Sequence, residues 1–144
     1  ERRLPNTLLV KIEEYEPLAL LQINNDHFVI SSSGNIIIRS NGLFNYLPVV
    51  KGEDAELHAA KTLNILSSEP SLFHQVWAIS FISKRRWDVH LRSGVKIKLP
   101  EKNTEEVWSK LAEIDRYNSI ISRDIYSIDL RHQEKIIIEP TKKL

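Results

Sequence analysis

Five histidines are the first residues in this sequence able to hold a metal or move a proton: His27, His58, His74, His90 and His132. No two of them stand within a helical turn of each other, so the spacing of a metal-ligand pair is missing and structural histidines are the simpler reading. Cysteine is absent, which removes a thiol nucleophile, a thiolate metal site and any disulfide. Ser31, Ser32 and Ser33 lack the small-residue setting of a nucleophile elbow. Gly34, Gly42, Gly52 and Gly94 are too scattered to cradle a phosphate. Asp129 and Glu134 stand close enough to be weighed as paired carboxylates, but Ile128 and Leu130 already place Asp129 in a strand. No catalytic residue, cofactor or metal is therefore assigned.

Two features suit binding better than catalysis. Lys84, Arg85 and Arg86 form a basic run just before Trp87. The plain alternative is a solvated strand end, with Trp87, Trp77 and Trp108 all in the core. The second feature is the last apolar run, Ile136, Ile137 and Ile138, entered through Lys135. A final β-branched strand is a sticky edge. It is either inserted inside the sheet or waits for a strand from a partner.

The elements that must position these residues are read from periodicity. Trp87, Val89 and Leu91 alternate with Asp88, His90 and Arg92; after Ser93 and Gly94, Val95, Ile97 and Leu99 alternate with Lys96 and Lys98. A period of two on both arms predicts a central β-hairpin with one apolar face, and Pro100 ends it. Strands are also expected over residues 8–13, 18–23, 27–30, 36–39, 76–82, 125–131 and 135–138, with an extended linker over 47–52. A helix is expected over 54–67, burying Leu57, Ala60, Leu63 and Leu66, with Pro70 marking its end or a short turn over 71–74. A second helix starts at Thr104 as N-cap, with Val107, Leu111, Ile114 and Ile121 as its buried stripe. The pattern predicts an α+β fold: a large, mostly antiparallel sheet with two helices on one face.

The chain has 144 residues and a formal net charge of +1, with 20 basic against 19 acidic side chains. That balance leaves no electrostatic footprint for nucleic acid. No apolar run approaches the ~18 residues of a membrane-spanning helix. The chain starts at Glu1 and has no Met, so it reads as a piece of a longer product.

Several motifs taken together resemble the FtsQ/DivIB family of bacterial cell-division proteins, in its alphaproteobacterial form. They are Arg3-Leu4-Pro5-Asn6-Thr7-Leu8 with Val10, Ile12, Glu14-Tyr15 and Pro17-Leu18-Ala19; the hairpin around Gly34; Leu47-Pro48 with Gly52; Arg85-Arg86-Trp87-Asp88; Gly94-Val95 with Leu99-Pro100-Glu101; and Arg123-Asp124-Ile125 with Ile128-Asp129-Leu130-Arg131. Their order and spacing fit from end to end. Ser31 to Ser33 depart from the acidic residue usual before that glycine.

The resemblance implies that residues 1–16 are the C-terminal end of a POTRA domain and residues 17–144 an FtsQ-type β domain. It implies a non-enzymatic scaffold, held in the inner membrane by one upstream transmembrane helix, with this domain in the periplasm. The partners it implies are FtsB and FtsL, joined by strand addition at the C-terminal edge. By position, strand pairing falls on Lys135, Ile136, Ile137 and Ile138. An acidic residue of FtsB is met by Arg85, with Lys84 or Arg86. Arg131 is the second basic contact, and beside it His132 stands where the family often has an aromatic. A POTRA-linked envelope assembly factor is the alternative; repeated POTRA units or a barrel domain would mark it.

Overall fold

In the computed structural model, residues 16–132 and 134–141 are described. The strand expected over residues 8–13 and the POTRA segment assigned to 1–16 lie outside them, apart from Glu16. The described residues form nine strands and three helices: β1 (Pro17–Ile23), β2 (Asp26–Ser31), β3 (Ile36–Arg39), β4 (Val49–Lys51), α1 (Ala55–Ser67), α2 (Pro70–Phe73), β5 (Val76–Ile82), β6 (Arg86–Leu91), β7 (Lys96–Lys98), α3 (Thr104–Asn118), β8 (Ile125–Asp129) and β9 (Ile137–Pro140). One sheet holds all nine strands, in the order β3-β2-β1-β4-β5-β6-β7-β8-β9. Five of its joints are antiparallel; β1–β4, β4–β5 and β7–β8 are parallel. The α+β architecture and the antiparallel majority thus match the alternation read from sequence, and the sheet is mixed. Two of the parallel joints are made by helical crossovers, as parallel neighbours require.

The expected hairpin is β6–β7. Val89 pairs with Ile97, and the turn closes through Gly94 N–H to Leu91 C=O at 2.9 Å. Trp87 is 6% exposed and Val89 fully buried, so the apolar face is inside and the hairpin is central. Both long helices cover that one face. Trp108 of α3 is fully buried and its indole N–H donates to the C=O of Leu66, near the end of α1, at 3.0 Å. A single core joins them to alternate residues of the strands, among them Ile30, Val50, Ile79, Leu91 and Ile128.

Trp77, expected in the core with the other two tryptophans, is instead 41% exposed, on the opposite face of β5. Four further expectations are corrected. The linker over 47–52 contains β4, a strand at the middle of the sheet, parallel to both neighbours. Three residues are too few to show a period, but Val50 is fully buried. Gly52 then turns the chain at φ 116, where an added Cβ would lie 2.5 Å from the Phe81 carbonyl oxygen. Next, the buried stripe of α1 is Ala55, Ala59, Thr62, Leu63 and Leu66, so Leu57 faces water at 69% exposure. Small alanines let the helix lie close to the sheet, and that turns the leucine outward. Third, Thr104 is the first residue of α3 rather than its cap. Asn103 precedes it at φ 61 with no side-chain cap bond, and the Thr104 hydroxyl donates to the C=O of Pro100 at 3.3 Å. Trp108, Leu111 and Ala112 are the buried residues of α3, with Val107 and Ile114 partly buried beside them; the helix ends at Asn118, so Ile121, expected on its stripe, is buried beyond it. Fourth, the helices are three, because residues 70–73 close a helical turn with Pro70 at its start.

Candidate interaction edge

Strand β9 ends the sheet. Its four residues are all exposed, and among the described residues β8 is its one ladder neighbour. The strand begins two residues later than expected. Lys135 and Ile136 precede it, Lys135 exposed and Ile136 half-buried against the core; Ile137 and Ile138 lie within it, each 41% exposed.

The direction of the β9 main chain follows from two hydrogen bonds. Leu130 N–H donates to Lys98 C=O, so Leu130 faces β7 and, by alternation, Asp129 faces β9. Thr141 N–H donates to Asp124 C=O, so Thr141 faces β8. Asp129 pairs with Ile137, Ser127 with Glu139 and Ile128 with Ile138. Both lines of counting turn Ile137 and Glu139 inward to β8 and Ile138 and Pro140 outward to solvent. Pairing also fixes the side chains: Ile138 lies on the helix-covered face with Ile128, Ile137 and Glu139 on the opposite face with Asp129 and Ser127.

That opposite face carries the charges. Asp88, Lys98 and Asp129 are cross-strand neighbours on β6, β7 and β8. Arg86 donates to Asp88 at 2.5 Å. Arg131 grips Asp129 with Nε at 2.9 Å and Nη2 at 2.7 Å, while its backbone N–H donates to the same carboxylate at 3.0 Å. Both aspartates are buried. The Arg131 hydrogen bond, opposed by burial, holds the Asp129 carboxyl down at about 2. His132 Nε2 lies 3.6 Å from it. Counting back from the Asp88–Lys98–Asp129 row puts Arg86, Pro100 and Arg131 at one height, with the two arginines two strand spacings (about 10 Å) apart. Lys98 stands between the two aspartates and makes no ion pair among the described residues.

The basic run is split by its geometry. Ser83 and Lys84 have φ 54 and 55, the two left-handed positions of a tight hairpin turn, closed by Arg85 N–H to Ile82 C=O at 3.0 Å. Lys84 Nζ is held by Glu53 at 3.2 Å and Asp54 at 3.4 Å, and these carboxylates raise its pKa. Arg86 is committed to Asp88. Arg85 is exposed and makes no ion pair among the described residues. The structure therefore brings together Arg131, His132, Lys135 and Ile136, which line a cleft of about 600 Å³ with Val107, Leu130 and the start of α3. It sets Lys84 apart, beside α1.

Asp88, Asp129, Lys98, Glu139 and Pro140 are not among the site residues expected from sequence. A signal for the aspartates was present: Arg86-x-Asp88 and Asp129-x-Arg131 each place opposite charges two apart, on one face of a strand. Among the described residues no group of three or more His, Cys, Asp or Glu side chains could hold a metal ion, and no helix is long and apolar enough to cross a membrane.

Residues 19–131 match the family model described as cell division protein FtsQ/DivIB, C-terminal. Curated relatives named cell division protein FtsQ include those of Rickettsia bellii, 37% identical over 138 residues (96% of this chain, 52% of the relative), and Agrobacterium fabrum, 34% identical over 140 residues (96% and 44%). The chain spans about half the length of these relatives. Among solved structures, the major extracytoplasmic domain of the trans isomer of DivIB from Geobacillus stearothermophilus aligns at a TM-score of 0.48 and 12% identity, over 75% of this chain and 97% of that one. By the family model and by these relatives, the chain belongs to the FtsQ/DivIB family of cell division proteins.

Proposed function

We propose that this chain is the interaction domain of a non-enzymatic divisome scaffold that binds FtsB, and FtsL with it, by strand addition at β9. The observation that carries the reading is the outward N–H and C=O of Ile138 on an exposed terminal strand, beside a charged sheet face that carries Arg86, Lys98 and Arg131. An extended partner segment continues the ladder there, and a carboxylate on that partner is drawn to the level of Arg86 and Arg131. Arg85, exposed at the hairpin tip, adds long-range attraction that raises the association rate more than the final affinity. In the same reading the domain lies in the periplasm, and a transmembrane helix upstream of Glu1 ties it to the inner membrane.

Hydrogen exchange with and without a soluble periplasmic segment of FtsB tests this. The Ile138 amide should exchange freely in the chain alone and become protected on binding, while the Ile137 and Glu139 amides, already bonded to β8, change little. Binding that leaves Ile138 unprotected, or no binding at saturating FtsB, overturns the reading.

A further inference from the structure

The outward main chain of β9 is not uniform. Ile138 offers both N–H and C=O, but Pro140, the next outward residue, offers only C=O, because its ring nitrogen carries no hydrogen. The ring also fills the space a partner carbonyl would enter. We infer that Pro140 is the stop that fixes where an added strand ends, and that it keeps this edge from pairing with a second copy of the chain. The first half rests on the reading of β9 as the binding edge; the second does not.

The reason is symmetry. Two copies of β9 joined about a two-fold axis must use the same groups twice. If Ile138 faces its own copy, Pro140 faces residue 136 of the other strand at both ends, and one bond is lost at each. If Ile138 faces Pro140 of the copy, one bond is again lost at each end, and the two Glu139 side chains stand directly opposite each other, like charge against like. A different, shorter segment suffers neither loss, since it pairs with Ile138 and stops before the ring. The edge therefore suits a short extended partner whose pairing ends opposite Pro140. Glu139 sits on the face opposite the helices, where it accepts a hydrogen bond from the Ser127 hydroxyl at 3.0 Å.

Pro140→Val restores the N–H at an exposed position and leaves the core untouched. Sedimentation velocity over a concentration series should show the native chain as a monomer and Pro140→Val self-associating roughly tenfold to a hundredfold more tightly, since two bonds are regained per dimer. Adding Ile138→Pro to that variant should abolish the association, which locates it on β9. Pro140→Ala, which also restores the N–H, serves where Pro140→Val loses its native circular dichroism. Restored-donor variants that sediment as the native chain does, a native chain that already dimerises through β9, or association that survives Ile138→Pro overturns the inference. If FtsB leaves β9 unprotected in the native chain, strand addition fails as a function, and the sedimentation result still decides what Pro140 does.

Discussion

Replacing Ile138 by proline separates binding from folding at a single amide. The ring nitrogen then points to solvent, where proline is tolerated on an edge strand. The fold loses part of one half-exposed isoleucine, about 1 kcal/mol. Binding loses more. The partner carbonyl that accepted from Ile138 is left without a donor in a covered site, and the ring crowds the approach; together these cost about 2–4 kcal/mol, or roughly 30- to 700-fold in Kd. Ile137→Pro is the mirror control. Its N–H faces β8 opposite Asp129, so its loss breaks the β8–β9 ladder and lowers the unfolding midpoint. Titration calorimetry against soluble FtsB, with thermal circular dichroism on each variant, reads both effects. An Ile138→Pro variant that keeps its melting curve and binds within threefold of native refutes the outward direction assigned to Ile138, or the use of this edge.

Three further outcomes follow from the packing. Arg85→Glu should leave the unfolding midpoint unmoved and weaken FtsB binding with a strong salt dependence, whereas Arg131→Glu should lower the midpoint because it sets a second carboxylate beside buried Asp129; equal midpoints for the two variants contradict the pairing described. Asp129 is held near 2 against an ordinary 3.8, so its stabilisation is complete above pH 3.8 and lost as pH falls toward 2. After allowance for solvent screening that is about 1–2 kcal/mol, and acid titration of Asp129→Asn should show a correspondingly shallower fall. Trp108→Phe removes the indole N–H bond and leaves part of the indole volume empty, while the Leu66 carbonyl keeps its bond from the Glu69 N–H at 3.3 Å; the cost should be about 1–3 kcal/mol in urea unfolding, and an unchanged midpoint would place the indole outside the core.

The β6–β7 hairpin was legible because Trp87, Val89, Leu91, Val95, Ile97 and Leu99 keep a strict period of two around Gly94. Strand β4 was not, because three residues carry no period and Pro48 and Gly52 on either side speak for a loop. Leu57 misled for a related reason: at one turn's spacing from Ala60 it fits a helical stripe, and the contact between α1 and the sheet is set instead by Ala55 and Ala59. At the edge, Ile136 to Ile138 marked the right segment. Where the ladder starts depends on how Asp129 and Leu130 share their main-chain bonds between β7 and β9, which is a property of the sheet and not of the run. The salt-bridged aspartates were readable from their two-residue spacing to Arg86 and Arg131. Their near-complete burial was not, since among the described residues it is the side chains around the aspartates that cover them on this face of the sheet.

The position of β4 governs how the molecule assembles. β1–β2–β3 and β5–β6–β7 are built from neighbouring hairpins, and β8–β9 is a third local piece. The three parallel joints close over long intervals: Leu20 meets Val49, Val49 meets Ala78 and Ile97 meets Ile128, each about thirty residues away in sequence. Local pieces form on the microsecond scale and distant closures come later, so the rate of folding is set at these seams. Two of the three run through β4, a strand of three residues. Until both of its joints close, a partly assembled chain carries open sheet edges on either side of that strand.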